Sequence, residues 1–331
     1  MGLPGERRPK RGTVPRVPPA KRLDVEIDGR VLSLSNLDKV LFPRAGFTKG
    51  QVIDYYTRIA PAVLPHLRGR PLTLKRYPDG VEGPFFYEKQ SPSHRPEWVR
   101  TAAVWSRHNA RTIEYTLADD LPTLVWLAQL GDLELHTSLA LAADVGRPTI
   151  LAFDLDPGPP ATIVECATVA LDLREAFEHL GLAAFPKTSG SKGMQVYVPL
   201  NVPGVTYEDT KSFALALAQL LERRRPELVV SDMKKSLRTG RVLVDWSQND
   251  EHKTTVCVYS LRARERPTVS TPLRWEEVEA VVESGDPDDL AFTSEAVLAR
   301  ITEHGDLFAP VLELEQALPT ASGNGGRPAG R

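Results

Sequence analysis

Short apolar runs punctuated by Gly and Pro alternate along the chain with longer stretches whose apolar residues recur every three to four positions, a pattern that predicts interleaved strands and helices. Residues 25–34 alternate around Asp28-Gly29, which predicts a hairpin with a tight turn. Thr48 is positioned to cap a helix whose Val52, Tyr55, Tyr56, Ile59 and Val63 share one face, a stripe expected in the core. Residues 72–77 read as a strand carrying the adjacent cations Lys75 and Arg76, and Phe85, Phe86 and Tyr87 follow a Pro/Gly turn. Three successive rings cannot all face one core, so at least one is expected at the surface. Residues 121–135 predict a buried helix and a short strand that delivers His136. Thr162 and Glu165 form a capping box for a helix that stops at Gly181, and a further helix spans about 209–223. Two amphipathic segments, near 275–282 and 294–304, are expected to pack against a sheet.

Two runs carry charge where a strand ends. Residues 149–153 are uncharged and mostly apolar, and lead into Asp154 and Asp156 before Pro157, Gly158, Pro159 and Pro160 forbid the strand from continuing. The strand is therefore expected to stop where its charge begins. Strand side chains alternate, so both carboxylates face one way with Leu155 in the core between them. Such neighbours repel unless a proton or a cation lies between them, and a hard divalent metal satisfies oxygen ligands. The alternative is a solvated strand end whose aspartates cap the next helix. A second run, residues 240–244, ends in Asp245 and supplies a third carboxylate, the set that a one- or two-metal phosphoryl-transfer centre needs. Lys234, Lys235, Arg238, Lys253, Arg262 and Arg264 flank it and suit phosphate, although any one of them fits an ordinary surface ion pair equally well. The turn holding Ser189, Ser191 and Lys192 lies between two extended segments and suits a phosphate cradle. It is not a Walker A loop, since both the spacing and the following helix are missing. Exposed rings beside lysines form a platform for nucleobases. A core aromatic run remains open as the other reading, as does a core role for His136.

Composition narrows the class. With 331 residues, 41% hydrophobic and 25% charged, the chain suits one large or two smaller globular domains. No window approaches the roughly 18 apolar residues of a membrane span, and the N-terminus lacks the apolar core of a secretory signal. Cys166 and Cys257 are too few for a disulfide framework, which points to a reducing cytoplasm. The net charge of −2 hides an asymmetry: residues 1–22 carry seven Lys and Arg against Glu6 alone, so the body is acidic. That Pro-rich arm is read as disordered, either a loose electrostatic tether to polyanions or an extension without a role. Residues 319–331 are read as a flexible tail.

Several segments together identify a family. Ser35-Asn36-Leu37-Asp38-Lys39, Lys75-Arg76-Tyr77-Pro78, Phe86-Tyr87-Glu88-Lys89, Leu133-Glu134-Leu135-His136, Phe153-Asp154-Leu155-Asp156, Thr188-Ser189-Gly190-Ser191-Lys192-Gly193, Lys235-Ser236-Leu237-Arg238, Val244-Asp245-Trp246-Ser247-Gln248-Asn249 and Tyr259-Ser260-Leu261-Arg262 resemble the polymerase domain of bacterial DNA ligase D. The resemblance spans about residues 30–310 in unbroken order. That family belongs to the archaeo-eukaryotic primase superfamily and serves non-homologous end joining.

The resemblance implies an α/β (α+β) primase-polymerase fold, with mostly antiparallel central sheets flanked by helices. An N-terminal module of about 23–120 would pack on a catalytic core of about 121–318. It implies a nucleotidyltransferase that adds nucleotides, preferably ribonucleotides, to a primer 3′-hydroxyl at gaps or broken DNA ends bearing a 5′-phosphate. Two divalent ions, Mn²⁺ or Mg²⁺, would be held by Asp154, Asp156 and Asp245. His136, Ser189, Lys192, Arg238, Gln248, Arg262, Arg264 and Lys75 would bind the nucleoside triphosphate. Asn36, Lys39 and Lys49 would hold the 5′-phosphate, with Phe86 and Tyr87 against template or base. The setting would be the bacterial cytoplasm at the nucleoid, without a membrane.

The chain also departs from the family pattern. Gln195 stands where the family usually has histidine, which predicts weaker and less pH-dependent nucleotide binding unless its neutral amide serves as well. Cys257-Val258 replaces the more familiar Ala-Pro before Tyr259, and is expected to be a packing change. No KxDG nucleotidyl-lysine motif and no phosphoesterase portion is found, so ligase and a broken-end binder such as Ku are expected from other chains. The competing functions are a catalytically silent DNA-end-binding module and a primase that starts chains without a primer.

Overall fold

A computed structural model describes residues 22–106 and 110–319; the basic arm up to Lys21 and the tail from residue 320 lie outside the described residues. In chain order the first half comprises β1 (Arg22–Ile27), β2 (Arg30–Ser35), β3 (Val40–Phe42), β4 (Phe47–Thr48), α1 (Lys49–Leu67), β5 (Leu72–Arg76), β6 (Phe86–Glu88), β7 (Thr101–Ser106), β8 (Arg111–Thr116), α2 (Leu121–Gln129) and β9 (Asp132–Thr137). The second half continues with β10 (Ile150–Pro157), α3 (Ile163–His179), β11 (Phe185–Thr188), β12 (Met194–Pro199), α4 (Tyr207–Arg224), β13 (Val229–Val230), β14 (Val242–Asp245), β15 (Thr255–Val256), β16 (Leu261–Ala263), β17 (Pro267–Val269), α5 (Trp275–Ser284), α6 (Ser294–His304) and α7 (Pro310–Glu313).

Two sheets organise these elements. One runs β11-β12-β10-β14-β13 and is antiparallel except for its β13–β14 edge; the other runs β15-β9-β5-β8-β7 with β6 added to β5. The six-stranded sheet thus draws on residues on both sides of position 120. The expected hairpin forms with Asp28 and Gly29 both at positive φ, as a tight two-residue turn requires. Thr48 caps α1 in a reciprocal box with Gln51. The aromatic stripe of α1 is core, and it also ties strands together: the Tyr55 hydroxyl donates to Tyr259 O at 2.8 Å and that of Tyr56 to Leu133 O at 2.8 Å.

Strand β10 shows how the site is positioned. Leu151, Phe153 and Leu155 point into a core shared with Cys166, Ala170 and Phe177 of α3 and with Ala214 and Leu221 of α4. Ile150 and Ala152 lie in the other core, the one built around α1 and the six-stranded sheet. Asp154 and Asp156 continue that second face. It is apolar where the two sheets cover each other and acidic where they part. Contrary to the sequence expectation, β10 does not end where its charge begins. It pairs through Asp154, Asp156 and Pro157 with Asp245, Leu243 and Val242 of β14, because a partner strand on that side can accept the ladder up to the proline. A second correction concerns α5, which lies mainly on α3 rather than directly on a sheet, while α6 contacts α1 and β17.

Asn249, completely buried just after β14, takes the place of a strand partner for β10. Its Oδ1 accepts from Ala152 N at 3.0 Å, and its Nδ2 donates to Ala152 O at 2.7 Å and Trp246 O at 3.1 Å. Asn249→Ala would orphan both polar groups of Ala152 in the interior, two residues from Asp154. The expected loss of stability is about 2–5 kcal/mol, read from urea unfolding, and a loss below about 0.5 kcal/mol would mean that another group replaces the amide.

Candidate active site

The three aspartates converge because of register. Asp154 of β10 is directly opposite Asp245 of β14, and residues directly opposite in a ladder share a face, so Asp156 joins them two positions along. On the other side Asp154 is opposite Gln195 of β12, which is opposite Lys187 of β11. Lys187, Gln195, Asp154 and Asp245 therefore form one row across four strands. Burial pushes the Asp154 carboxyl up to about 7, with the Asp156 and Asp245 charges adding to the effect and Gln195 opposing it. Asp156 is raised too, by burial and then by Asp245, against the charges of Arg238 and Arg262.

This donor set is all oxygen and its carboxylates disfavour one another's charge, so its chemistry fits a hard divalent cation held by Asp154, Asp156 and Asp245. Among the described residues, no group of three His, Cys, Asp or Glu side chains is arranged so that it could hold a metal ion as it stands. Asp245 is turned aside: its Oδ1 accepts from Ser247 N at 2.9 Å and Ser247 Oγ at 2.5 Å, and its Oδ2 from Gln248 Nε2 at 3.0 Å. Lys253 holds Ser247 in turn, Nζ to Oγ at 2.5 Å.

A cavity of about 420 Å³ opens beside the carboxylates, lined by Asp154 and Asp156 and, among others, by Tyr87, His136, Ser189, Lys192, Gln195, Gln248, Arg262 and Arg264. Six of the eight residues expected to bind nucleotide thus come together on its wall. The turn after β11 approaches β10 closely: a Cβ at Gly193 would overlap the carbonyl oxygen of Leu155. Ser189 Oγ faces its own turn, accepting from Ser191 N and Gly193 N at 3.3 Å each. Arg262 Nη1 donates to Ser189 O and Arg264 Nη2 to Ser191 Oγ, so both arginines are tied to the turn.

Other expected residues take different positions. Lys75 does not line the cavity; its ammonium pairs with Glu134 at 3.1 Å and lies 4.8–5.6 Å from the ring centroids of Tyr77, Phe85 and Tyr87. Arg238 also stands outside the lining, donating to Met233 O at 2.7 Å near Asp156. Lys234 and Lys235 are exposed and likewise absent from the lining. Phe85, Phe86 and Tyr87 are all exposed, which settles the aromatic run against a core role. Phe86 and Tyr87 do not act as a pair, because consecutive strand residues face opposite ways. Tyr87 meets His136 edge-on at 6.1 Å, whereas Phe86 lies beside Arg76. Gln195 is buried, with Nε2 donating to Thr255 Oγ1 at 2.8 Å and Oε1 accepting from Tyr197 OH at 3.4 Å. It belongs to the Asp154 row, where its neutral amide is already partnered.

Two residues given no role from the sequence are prominent here. Glu134, almost fully buried, gathers Lys75, His136 and Arg262 around one carboxylate. Lys187 is completely buried, donating to Val256 O at 3.1 Å and Ser270 Oγ at 2.8 Å, and burial pushes its ammonium down to about 7 against the opposing charge of Asp154. A charged residue inside a short strand was the only sign of either.

Asn36, Lys39 and Lys49 gather elsewhere. Asn36, at φ 55°, and Lys39 line a separate groove with Arg22, Leu23, Leu37 and Asp38. Lys39 Nζ donates to Pro78 O at 2.6 Å and pairs with Asp79 at 2.7 Å. Lys49, the buried first residue of α1, donates to Ser35 O at 3.0 Å. Burial, and then the neighbouring Lys39 charge, bring its ammonium down to about 8.

Comparison with known proteins accords with this geometry. A family model described as LigD, primase-polymerase domain, matches residues 48–308. The chain is 41% identical over 280 residues to the multifunctional non-homologous end joining protein LigD of Mycolicibacterium smegmatis, covering 84% of this chain and 36% of that protein. It is 31% identical over 277 residues to the bifunctional non-homologous end joining protein LigD of Bacillus subtilis, covering 84% and 43%. The chain thus spans less than half the length of these relatives. Its fold matches the solved polymerase domain from Mycobacterium tuberculosis ligase D in complex with DNA, with a TM-score of 0.78 at 40% identity over 85% of this chain and 98% of that one. With the model matched across the sheets that carry the three aspartates and the cation-walled cavity, the chain belongs to the LigD primase-polymerase domain family.

Proposed function

We propose that this protein extends a DNA primer by template-directed addition of nucleotides, preferably ribonucleotides, at gaps and broken ends in non-homologous end joining. The observation that carries this reading is the convergence of Asp154, Asp156 and Asp245 on one sheet face beside a cavity walled by Lys192, Arg262 and Arg264. A binder without catalysis gains nothing from three mutually repelling acids. The family's solved relative in complex with DNA supports a nucleic-acid substrate.

In this reading Lys192, Arg262 and Arg264 bind the triphosphate and orient its α-phosphorus toward the carboxylates. Tyr87, beside His136, offers a ring on which the base stacks. The primer 3′-hydroxyl attacks in line, the bond from the α-phosphorus to the bridging oxygen breaks, pyrophosphate leaves and the hydroxyl proton passes to solvent. Mn²⁺ or Mg²⁺ held by the three aspartates supplies activation of the hydroxyl and neutralisation of the leaving group. Asn36, Lys39 and Lys49 receive the 5′-phosphate at the far side of the gap. Ku and a DNA ligase complete the repair.

Incorporation of labelled ribonucleotides into a primed gap with Mn²⁺ tests the reading; equal product on an unprimed template would turn it into a primase. Asp154→Ala or Asp245→Ala should abolish addition while leaving binding to broken ends within about twofold, since the two sites share no lining residue. Parallel loss of both activities would mean that the carboxylates hold DNA.

Lys49, next to the groove residue Lys39, generates a pH prediction. Lys49 is cationic below its depressed pKa of about 8, so its contribution to phosphate binding is present below that pH and is lost as pH rises through it. The 5′-phosphate is already dianionic above about pH 7 and contributes no opposing change. The preference for 5′-phosphorylated over 5′-hydroxyl gaps should therefore shrink above about pH 8, and Lys49→Met should reduce it by about tenfold at pH 7, the value of one charge-assisted hydrogen bond. A preference independent of both pH and Lys49 would assign the phosphate to another site.

A further inference from the structure

We propose that Glu134 is a positioning residue that holds the nucleotide side of the cavity in register, acting through Arg262, His136 and Lys75. The proposal rests on the nucleotide-binding reading of the cavity and adds the group that orients its wall. Glu134 is 2% exposed and lies in the middle of β9, where a carboxylate is costly to bury unless it is paired. Its Oε2 receives His136 Nε2 at 3.0 Å and approaches Arg262 Nε at 3.3 Å. Its Oε1 receives Lys75 Nζ at 3.1 Å and Ala263 N at 3.1 Å. Burial alone would raise its carboxyl, but the hydrogen bond from His136 and the charges of Arg262 and Lys75 outweigh it and hold the group well below the usual carboxylate range.

Each partner controls a different part of the wall. Arg262 stands on β16 between Glu134 and the carbonyl oxygen of Ser189, so it latches the turn after β11 in one sheet to β9 in the other. His136 is fixed with Nε2 toward Glu134, and burial disfavours its charged form. Lys75 lies among the rings of Tyr77, Phe85 and Tyr87, and Tyr87 also lines the cavity. One anion thus anchors the arginine tied to the phosphate turn, the imidazole, and the lysine that seats the aromatic platform. Glu134 itself does not line the cavity, which makes it a positioning residue and not a ligand-contacting one.

The test compares Glu134→Gln, which keeps shape and loses charge, with Glu134→Asp, which keeps charge and withdraws the carboxylate by one methylene. Equilibrium binding of UTP, with and without Mn²⁺, and steady-state extension of a primed gap are measured beside thermal melting and binding to 5′-phosphorylated ends. Glu134→Gln should weaken UTP binding and raise the KM for UTP by about ten- to a hundredfold, with kcat within about threefold, the pattern of misplaced binding groups. End binding should be unchanged, and Glu134→Asp should recover part of the loss. In an Arg262→Gln background the further effect of Glu134→Gln should fall to less than about threefold, since the two act through one contact. Unchanged UTP binding in both single variants would overturn the proposal. So would losses in UTP binding, end binding and melting temperature that move together, which is the mark of a merely structural group. Should Glu134→Gln fail to fold, Glu134→Asp carries the same comparison. If the unaltered protein binds UTP but does not extend a primer, the polymerase reading fails while the binding comparison still decides the role of Glu134.

Discussion

Mutual repulsion of Asp154, Asp156 and Asp245 is the constraint that the rest of the structure accommodates. Two unit charges about 4 Å apart interact by about 4 kcal/mol at the effective dielectric near a protein surface, so three carboxylates on one sheet face would scatter if their backbones were free. The antiparallel ladder between β10 and β14 denies them that freedom, with Asp154 opposite Asp245. Beneath it Leu151, Phe153 and Leu155 anchor β10 in the helix-packed core, and above it Asn249 takes up the backbone of Ala152. A rigid support for a set of like charges is what distinguishes a site that can hold a cation from a strand end that merely meets solvent.

Positive charge is distributed around this face in two ways. At one end of the row lies Lys187, completely buried and two strands from Asp154. In front, Arg262, Arg264 and Lys192 border a cavity open to solvent, where a polyanion can exchange water for fixed donors. The arginines are bound to the turn they serve, so little side-chain freedom remains to be lost when a ligand arrives. Glu134 balances part of this cationic wall and, through Lys75 and His136, links it to Tyr87 of β6.

The groove lined by Asn36 and Lys39, beside which Lys49 N donates to Lys39 O, is built differently. Its lysines are engaged by backbone carbonyls and an exposed aspartate, and Lys49 is held partly desolvated next to a like charge. An anion entering there relieves both penalties at once. This groove is formed by residues that precede α1 and the carboxylates by the end of β10, so the two features stand on separate elements.

Much of this is legible in the chain itself. Apolar periodicity, capping boxes and turn residues mark the helices α1, α2, α3 and α4, the hairpin of β1 and β2, and the strands that carry the three aspartates, because those signals are local. The alternation of strand side chains is enough to put Asp154 and Asp156 on one face. Pairing partners are not legible, since register depends on residues far apart in sequence; only the fold sets Asp245 against Asp154 and carries β10 past its charges. Tertiary structure alone also encloses Lys75 among rings and seats Gln195 within the carboxylate row. Glu134 and Lys187 are charged residues in buried strands, and sequence gives no measure of burial or of the partners that make such burial tolerable. Their roles exist only where two sheets meet, which is why the chemistry can be read from the chain and its alignment cannot.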